Sequence, residues 1–490
     1  VLYHLYEIGQ AAMTPARAAA NSTRFLLRNP FNPLAYTNVG RNTAAAAELM
    51  ERTTRRYRKP GFNLKTTMVK GQQVAVTEET VWRKPFCNLI HFRKTFSAGP
   101  GSSEPRLLVI APVSGHFATL LRGTVEAMLP YADVYITDWQ DARSVPLRDG
   151  TFDLDDYIDY TIEMIQLFKG DVHVMAVCQP AVPVLSAVAL METRDSPALP
   201  RSVILKGGPV DTRISATAVN KLAEERGTDW FRRTVITSVP WPSRGHGRQV
   251  YPGFLQLTGF MAMNLDRHVN AHKELFVSLV RGDGDSVEKH KEFYDEYLAV
   301  MDLTAEYYLQ TVDQVFVKHQ LPKGEMFHRG ELVDLTAIRR VALMTIEGEK
   351  DDITGLGQCE AALHLCKNLP RSRKRHYTQP DVGHYGIFNG SRFRHEIVPR
   401  VVAFMSDQDV RGGNLKWLVN RLPAGAIAAP PPPPSKAADD VKPAEVHGET
   451  IQIHLSGLPA KPSLRMKKGR SLARLSAGRG KAPGARNRGR

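Results

Sequence analysis

A lone cysteine stands where one apolar run meets another: Val172-His-Val-Met-Ala-Val-Cys178-Gln-Pro180, followed by the apolar residues 181–188. A hydrophobic strand that runs straight into a helix, with one nucleophile-type side chain at the turn, is the layout of a nucleophile elbow. At that turn the positive end of the helix dipole favours a thiolate, and the N–H of the next residue, Gln179, can hold an oxyanion. The usual G-x-S-x-G has become Ala176-Val-Cys178-Gln-Pro180. With both glycines replaced and Ser changed to Cys, the segment taken alone also fits a buried, inert cysteine.

Such an elbow draws an acid and then a histidine from later in the chain. The loop Glu347-Gly-Glu-Lys-Asp351-Asp352 follows an apolar run at 341–346, and Asp381-Val-Gly-His384-Tyr-Gly386 follows a further short strand near 376–378. Cys178 precedes Asp351 by 173 residues and Asp351 precedes His384 by 33. Asp351 is preferred because it closes the Gly348-Glu-Lys turn, with Asp352 as the alternative, while His384 lies between Gly383 and Gly386. Other histidines, such as His116, His173 and His376, read as structural or solvated. A second oxyanion donor is expected from the N–H of Val113 or Ser114, in a 112–116 loop that otherwise reads as an ordinary turn between strand and helix. The chemistry of this set is acyl transfer through a thioester, which needs neither a metal nor an organic cofactor.

Those residues have to be carried by strands. Short β-rich runs at 107–111, 134–137, 172–177, 203–205 and 341–346 are nearly continuous in hydrophobicity, as strands buried on both faces are. Between them lie helical patterns, such as Leu154, Tyr157, Ile158, Ile162, Ile165 and Phe168. The rhythm predicts an α/β fold with a mostly parallel sheet flanked by helices. The 135 residues separating the run that ends at Leu205 from the one that begins at Val341 exceed any simple crossover and predict a mainly helical cap. Its aromatics are expected to form the cap's own core. The apolar stretch 254–263, behind Pro252-Gly253, could instead line an entrance for a greasy substrate.

The chain therefore divides into a helical arm (1–60), a first core part with the elbow (61–206), the cap (207–340), a second core part with the acid and histidine loops (341–422) and a tail (423–490). The arm is expected to pack on its own domain, with binding to a membrane or polymer surface as the alternative. The tail opens with Ala-rich sequence and five prolines at 430–434 and reads as disordered, apart from a short alternating piece at 451–455.

Composition removes other classes. With 490 residues, 42% of them hydrophobic and 23% charged, the chain can bury an enzyme-sized core. No apolar run reaches the roughly 18 residues of a membrane span. Cysteines 87, 178, 359 and 366 form no C-x-x-C pair or disulfide framework, which fits a reducing compartment. With no basic leader ahead of Glu7, an intracellular protein is expected. Residues 461–490 hold eleven Lys or Arg and no Asp or Glu, so they supply +11 of the +15 net charge. Basicity is thus a property of the tail, which reads either as a site for a polyanion such as nucleic acid or polyphosphate, or as an unselective cationic extension.

The motifs carry a resemblance. Val1-Leu-Tyr-His-Leu-Tyr-Glu7, Lys84-Pro-Phe-Cys87, Ser114-Gly-His116, Thr137-Asp-Trp139, Asp141-Ala-Arg143, Val177-Cys-Gln-Pro180, Gly207-Gly-Pro209, His246-Gly-Arg248, Val250-Tyr-Pro-Gly-Phe254, Phe293-Tyr-Asp-Glu-Tyr297, Ala305-Glu-Tyr-Tyr308 and Gly383-His-Tyr-Gly-Ile-Phe388 are together similar to the intracellular polyhydroxybutyrate depolymerases. The likeness covers about residues 1–408 and leaves out the tail. It implies an α/β-hydrolase that cleaves esters of amorphous poly-3-hydroxybutyrate at storage granules. In that reading Cys178 is the nucleophile, His384 its base and then acid, and Asp351 the group that holds the imidazole. Two alternatives remain open: a polymer synthase that uses hydroxyacyl-CoA, whose elbow normally keeps glycines, and a granule-coating protein that tethers DNA through its tail.

Overall fold

The computed structural model describes residues 2–96, 104–263, 265–281 and 284–411. The expectations for 423–490, including 451–455 and 461–490, lie outside the described residues. Nine strands form the main sheet: β1 (Thr66–Val69), β2 (Gln72–Lys84), β3 (Cys87–Thr95), β4 (Arg106–Ile110), β5 (Asp133–Trp139), β6 (His173–Val177), β7 (Ser202–Lys206), β13 (Ala342–Gly348) and β14 (Lys374–Gln379). Two small sheets, in the cap, are made by β8 (Thr237–Ser238), β9 (Gln249–Tyr251), β10 (Leu303–Thr304), β11 (Phe327–His328) and β12 (Glu331–Leu332).

The order in the main sheet is β1-β2-β3-β5-β4-β6-β7-β13-β14. From β5 to β14 all pairs are parallel, and β1, β2 and β3 join the edge as antiparallel strands. The runs expected at 107–111, 134–137, 172–177, 203–205 and 341–346 are β4, β5, β6, β7 and β13. β6 and β7 are buried at every position, which accounts for their unbroken apolar signal. β1–β3 gave no such signal. They lie at the sheet edge, where β2 carries Glu78, Glu79, Arg83 and Lys84 among only intermittent buried positions.

Helices α1 (Leu2–Ala12), α2 (Thr14–Arg28) and α3 (Asn38–Thr54) make the arm, and α4 (Arg122–Met128), α5 (Leu154–Gln166) and α6 (Ala181–Thr193) belong to the core. α5 starts at a capping box, Asp153 accepting from the Asp156 N–H while Asp156 accepts from the Asp153 N–H. α6 is buried at every residue from 181 to 192, so it has no polar face and no helical period for the sequence to show.

Between β7 and β13 the cap adds α7 (Ala218–Thr234), α8 (Gly253–Met263), α9 (Leu265–Arg281), α10 (Gly284–Tyr297) and α11 (Ala305–Thr311). The arm is fastened to it. The Tyr3 hydroxyl donates to Asp302, Tyr6 stacks on Phe254 with ring centroids 4.0 Å apart, and Glu7 pairs with Arg56 and Arg143. Buried Glu48 pairs with Arg28 and Lys291, and Arg52 with Asp295, which joins α3 to α10. Burial opposes ionisation of Glu48, yet Lys291 and Arg28 outweigh it and hold its carboxyl below the usual range. Arm and cap together enclose a cavity of about 920 Å³, whose walls include Tyr6, Phe117, Trp139, Phe254, Leu257 and Met261. The apolar stretch 254–263 therefore does line an opening, one that it shares with α1.

Among the described residues no helix is long and apolar enough to cross a membrane.

Candidate active site

β6 ends at Val177 and α6 begins at Ala181, so Cys178 occupies the turn between the central strand and the buried helix. Its φ is +69°, in the left-handed region that a residue with a Cβ enters only when its surroundings enforce it. The Cys178 N–H donates to the Lys206 carbonyl at 2.7 Å, and the Cys178 carbonyl accepts from the Ala181 N–H at 3.1 Å. Both ties hold the strained residue in place.

An elbow also needs room for its helix to approach the neighbouring strand. Ala176 and Pro180 do not supply that room, and glycines on the next strand do. A Cβ on Gly208 would lie 2.1 Å from that of Ala181, and one on Gly207 would lie 2.6 Å from Ile387 and 3.1 Å from the His384 ring. The space that the elbow's own glycines commonly provide has moved to Gly207-Gly208, a signal that was in the sequence as a motif without a physical reading.

Asp351 and His384 arrive from the loops after β13 and β14. The His384 Nδ1–H donates to Asp351 Oδ2 at 2.7 Å, and Asp351 Oδ1 accepts from the N–H groups of Ile353 and Thr354 at 2.9 and 2.8 Å. The carboxylate is thereby oriented through both oxygens, and the histidine ring lies near enough to Cys178 for the sulfur to act on it electrostatically. Burial disfavours a charged ring, but the Cys178 sulfur and the Asp351 carboxylate outweigh it and hold the His384 pKa well above the ordinary histidine value. Asp352 is exposed at the surface, so of the two neighbouring aspartates Asp351 is the one that meets the ring.

Of the expected oxyanion donors, Gln179 lies at the turn itself, and the loop after β4 brings Val113 against its side chain. The Gln179 N–H and the Ser114 N–H make no hydrogen bond among the described residues, while the Val113 N–H donates to Gln179 Oε1 at a long 3.4 Å. Gln179 Nε2 and the Tyr307 hydroxyl are both buried without a hydrogen-bond partner among the described residues. Tyr157, Tyr307 and Tyr385 are buried within electrostatic reach of the sulfur. Burial above all, with the sulfur as a smaller contribution, pushes their phenols well above their ordinary pKa and keeps them neutral. Reading the cap aromatics only as the cap's own core missed the place of Tyr307. His116 is buried and donates to the Tyr297 carbonyl at 3.1 Å, tying the 112–116 loop to the cap.

One further convergence could be taken for a cation site. Glu347, Glu360 and His376 bring ligand-type atoms within 4.8 Å of one another. Glu347 already accepts from the N–H groups of Gly357, Cys359 and Glu360, and both nitrogens of His376 meet threonine hydroxyls, of Thr345 and Thr378. This set closes the segment after the acid loop.

Residues 207–409 match the family model described as the PHB de-polymerase C-terminus. The match spans about two fifths of the chain, and that segment is similar to the family. The depolymerase segment contains Gly207, Gly208, Asp351 and His384 and begins beyond Cys178. No curated protein matches the chain at a significant level. Among solved structures the chain is similar to a thermophilic esterase from Thermogutta terrifontis, at 11% identity over 70% of this chain and 97% of the other, with a TM-score of 0.34. It is also similar to a membrane phospholipase A described as a bacterial virulence factor, at 13% identity over 68% and 86% with a TM-score of 0.38. A thioesterase domain from the curacin biosynthetic pathway gives 10% identity over 68% and 99%, with a TM-score of 0.36. Independently of these likenesses, the mostly parallel sheet flanked by helices, with the strand–turn–helix at Cys178, is that of an α/β-hydrolase.

Proposed function

We propose that this protein is a carboxylic ester hydrolase that depolymerises amorphous poly-3-hydroxybutyrate through Cys178, His384 and Asp351. The observation that supports it most is the strained cysteine at φ +69° beside the His384–Asp351 pair, in a chain whose 207–409 segment matches the PHB de-polymerase C-terminus model.

His384 takes the proton of the Cys178 thiol, and the sulfur attacks an ester carbonyl of the polymer. The carbonyl oxygen becomes an oxyanion, held by the N–H groups of Gln179 and Val113, with Ser114 as the neighbouring donor. The Gln179 side-chain carbonyl, only loosely bound to Val113, gives way to it. Collapse breaks the ester C–O bond, and the alkoxide leaves with the proton from His384. Water then gives a proton to His384 and attacks the thioester. The acid is released and the proton returns to the sulfur. Asp351 fixes the ring so that one nitrogen faces the sulfur through both steps. Buried, neutral tyrosines near the sulfur keep the thioester from bulk water.

The reading is tested by incubating the purified protein with native amorphous granules and following acid release. Wild type should liberate 3-hydroxybutyrate monomers or oligomers, and Cys178→Ala should lower that rate by at least about 10³-fold while leaving the fold intact. Unchanged release by the variant overturns the nucleophile, and growth of polymer with release of CoA would replace hydrolysis with synthesis.

A further inference from the structure

The turn between α2 and α3 is built inside out. Phe25, Leu26, Phe31, Leu34, Tyr36 and Val39 are all exposed, Phe31 by 92% and Phe25 and Val39 by 75% each. Scattered single apolar residues on a surface need no explanation, but six within fifteen residues of one helical hairpin do.

The turn is not loose chain with its apolar groups left over. Its polar groups are spent on one another. Asn32 donates to the Leu26 carbonyl and accepts from the Leu34 N–H, Asn29 accepts from the Phe31 N–H, the Tyr36 hydroxyl donates to the Pro30 carbonyl, and Thr37 caps α3 by accepting from the Gly40 N–H. Gly40 permits this closure, since a Cβ there would stand 1.8 Å from the Leu34 carbonyl oxygen. Pro30 and Pro33 stiffen the same segment. A preformed turn that satisfies its own hydrogen bonds and faces its hydrocarbon outward loses little entropy when it meets an apolar surface.

We propose that this hairpin tip, residues 25–39, is the surface by which the protein adsorbs to its insoluble polyester. This rests on the substrate proposed above. The partner's chemistry follows from charge. Arg28 is the one charged residue between 25 and 39, and its guanidinium is engaged by buried Glu48; of the flanking cations, Arg24 also acts on Glu48 and Arg41 donates to Asn38 Oδ1. A segment that settles on anionic lipid carries Lys and Arg beside its apolar face. This one suits a surface that is apolar and uncharged, as a polyester is. The tip is also mechanically continuous with the site's cover. α3 is ion-paired to α10 through Glu48–Lys291 and Arg52–Asp295, and Tyr297, at the end of α10, lies against Tyr385, next to His384.

The test uses the full chain and the triple variant Phe25→Ser/Phe31→Ser/Val39→Ser, whose side chains support no core. Each is prepared with Cys178 intact and in a Cys178→Ala background, so that adsorption is read without digestion. Four quantities are measured: co-sedimentation with amorphous poly-3-hydroxybutyrate particles, co-sedimentation with anionic phospholipid vesicles, hydrolysis of a soluble hydroxybutyrate oligomer, and oligomeric state by ultracentrifugation. The inference predicts that particle binding falls about tenfold or more, with acid release from particles falling alongside, while hydrolysis of the soluble oligomer stays within about twofold of wild type. It is overturned if the triple variant adsorbs like wild type, if wild type prefers the anionic vesicles, or if the substitutions convert a dimer into monomers, which would make the tip an interface between copies. If wild type cleaves neither polymer nor soluble oligomer, the proposed activity fails instead, and adsorption to the particles still decides the role of the tip.

Discussion

Helix α6 and the hairpin tip of α2 and α3 are both rich in apolar residues, and the fold treats them in opposite ways. In α6 every residue from 181 to 192 is buried, and the residue three before its start, Cys178, is held in left-handed backbone. At the tip the hydrocarbon faces water and the polar atoms are bonded to one another at the surface. The contrast teaches that burial is assigned by what covers an element. The parallel sheet, α5 and the turn Leu335–Ala337 close over α6, and no described element closes over residues 25–39. Apolar surface that the fold buries explains stability, whereas apolar surface that it leaves exposed on a rigid turn asks for a partner.

That comparison is sharpened first at the buried end. Asp351→Asn should lower kcat on soluble and insoluble esters alike by about 10³–10⁴-fold, because the amide cannot hold the Nδ1–H tautomer and its charge partner is gone. Asp352→Asn, at the exposed position, should stay within about threefold. Steady-state rates on a soluble oligomer decide it, and equal losses in the two variants would break the assignment of the acid. The substitutions at the tip sit at the other end of the scale, since they are expected to change adsorption and leave soluble turnover in place.

Between the two regions lies the seam at His116. Its ring is buried against Phe260 and Tyr297, and burial lowers its pKa to about 4. The unfolded chain takes up a proton there near pH 6.5, and the folded chain does not until about pH 4. Unfolding therefore gains protons across that window, and stability falls as pH falls, by up to about 3 kcal/mol at the acid end. Urea midpoints at pH 7 and pH 4 should show a smaller acid loss for His116→Gln, which keeps a donor for the Tyr297 carbonyl and does not titrate. An identical loss in variant and wild type would contradict the burial of a neutral ring at this seam.

Much of this was legible in the sequence, for physical reasons that differ by region. Strands buried on both faces announce themselves by composition, so β4, β5, β6, β7 and β13 could be read directly. The edge strands β1–β3 could not, because half of each is solvated. The trio at 178, 351 and 384 was proposed from chain order and loop context; Asp351 and His384 are hydrogen-bonded, with Cys178 near the ring. What escaped was steric and relational. That Gly207 and Gly208 make room for the elbow, that Arg248 of the His246-Gly-Arg248 motif is buried to bind the carbonyls of Val145, Pro146 and Gly150, and that Tyr3 is matched to Asp302 are facts about residues distant in the chain. The tip escaped too, since its apolar residues look in sequence like any helix face that packs on its own domain.

The central claim is that the sulfur of Cys178 becomes covalently acylated during turnover. Intact-mass and peptide mapping of the protein quenched in acid during hydrolysis of a soluble hydroxybutyrate oligomer tests it directly. The account predicts a hydroxyacyl adduct on the peptide that holds Cys178, sensitive to neutral hydroxylamine as a thioester is and accumulating before steady state. An adduct on another residue, or full turnover with none formed, would contradict it.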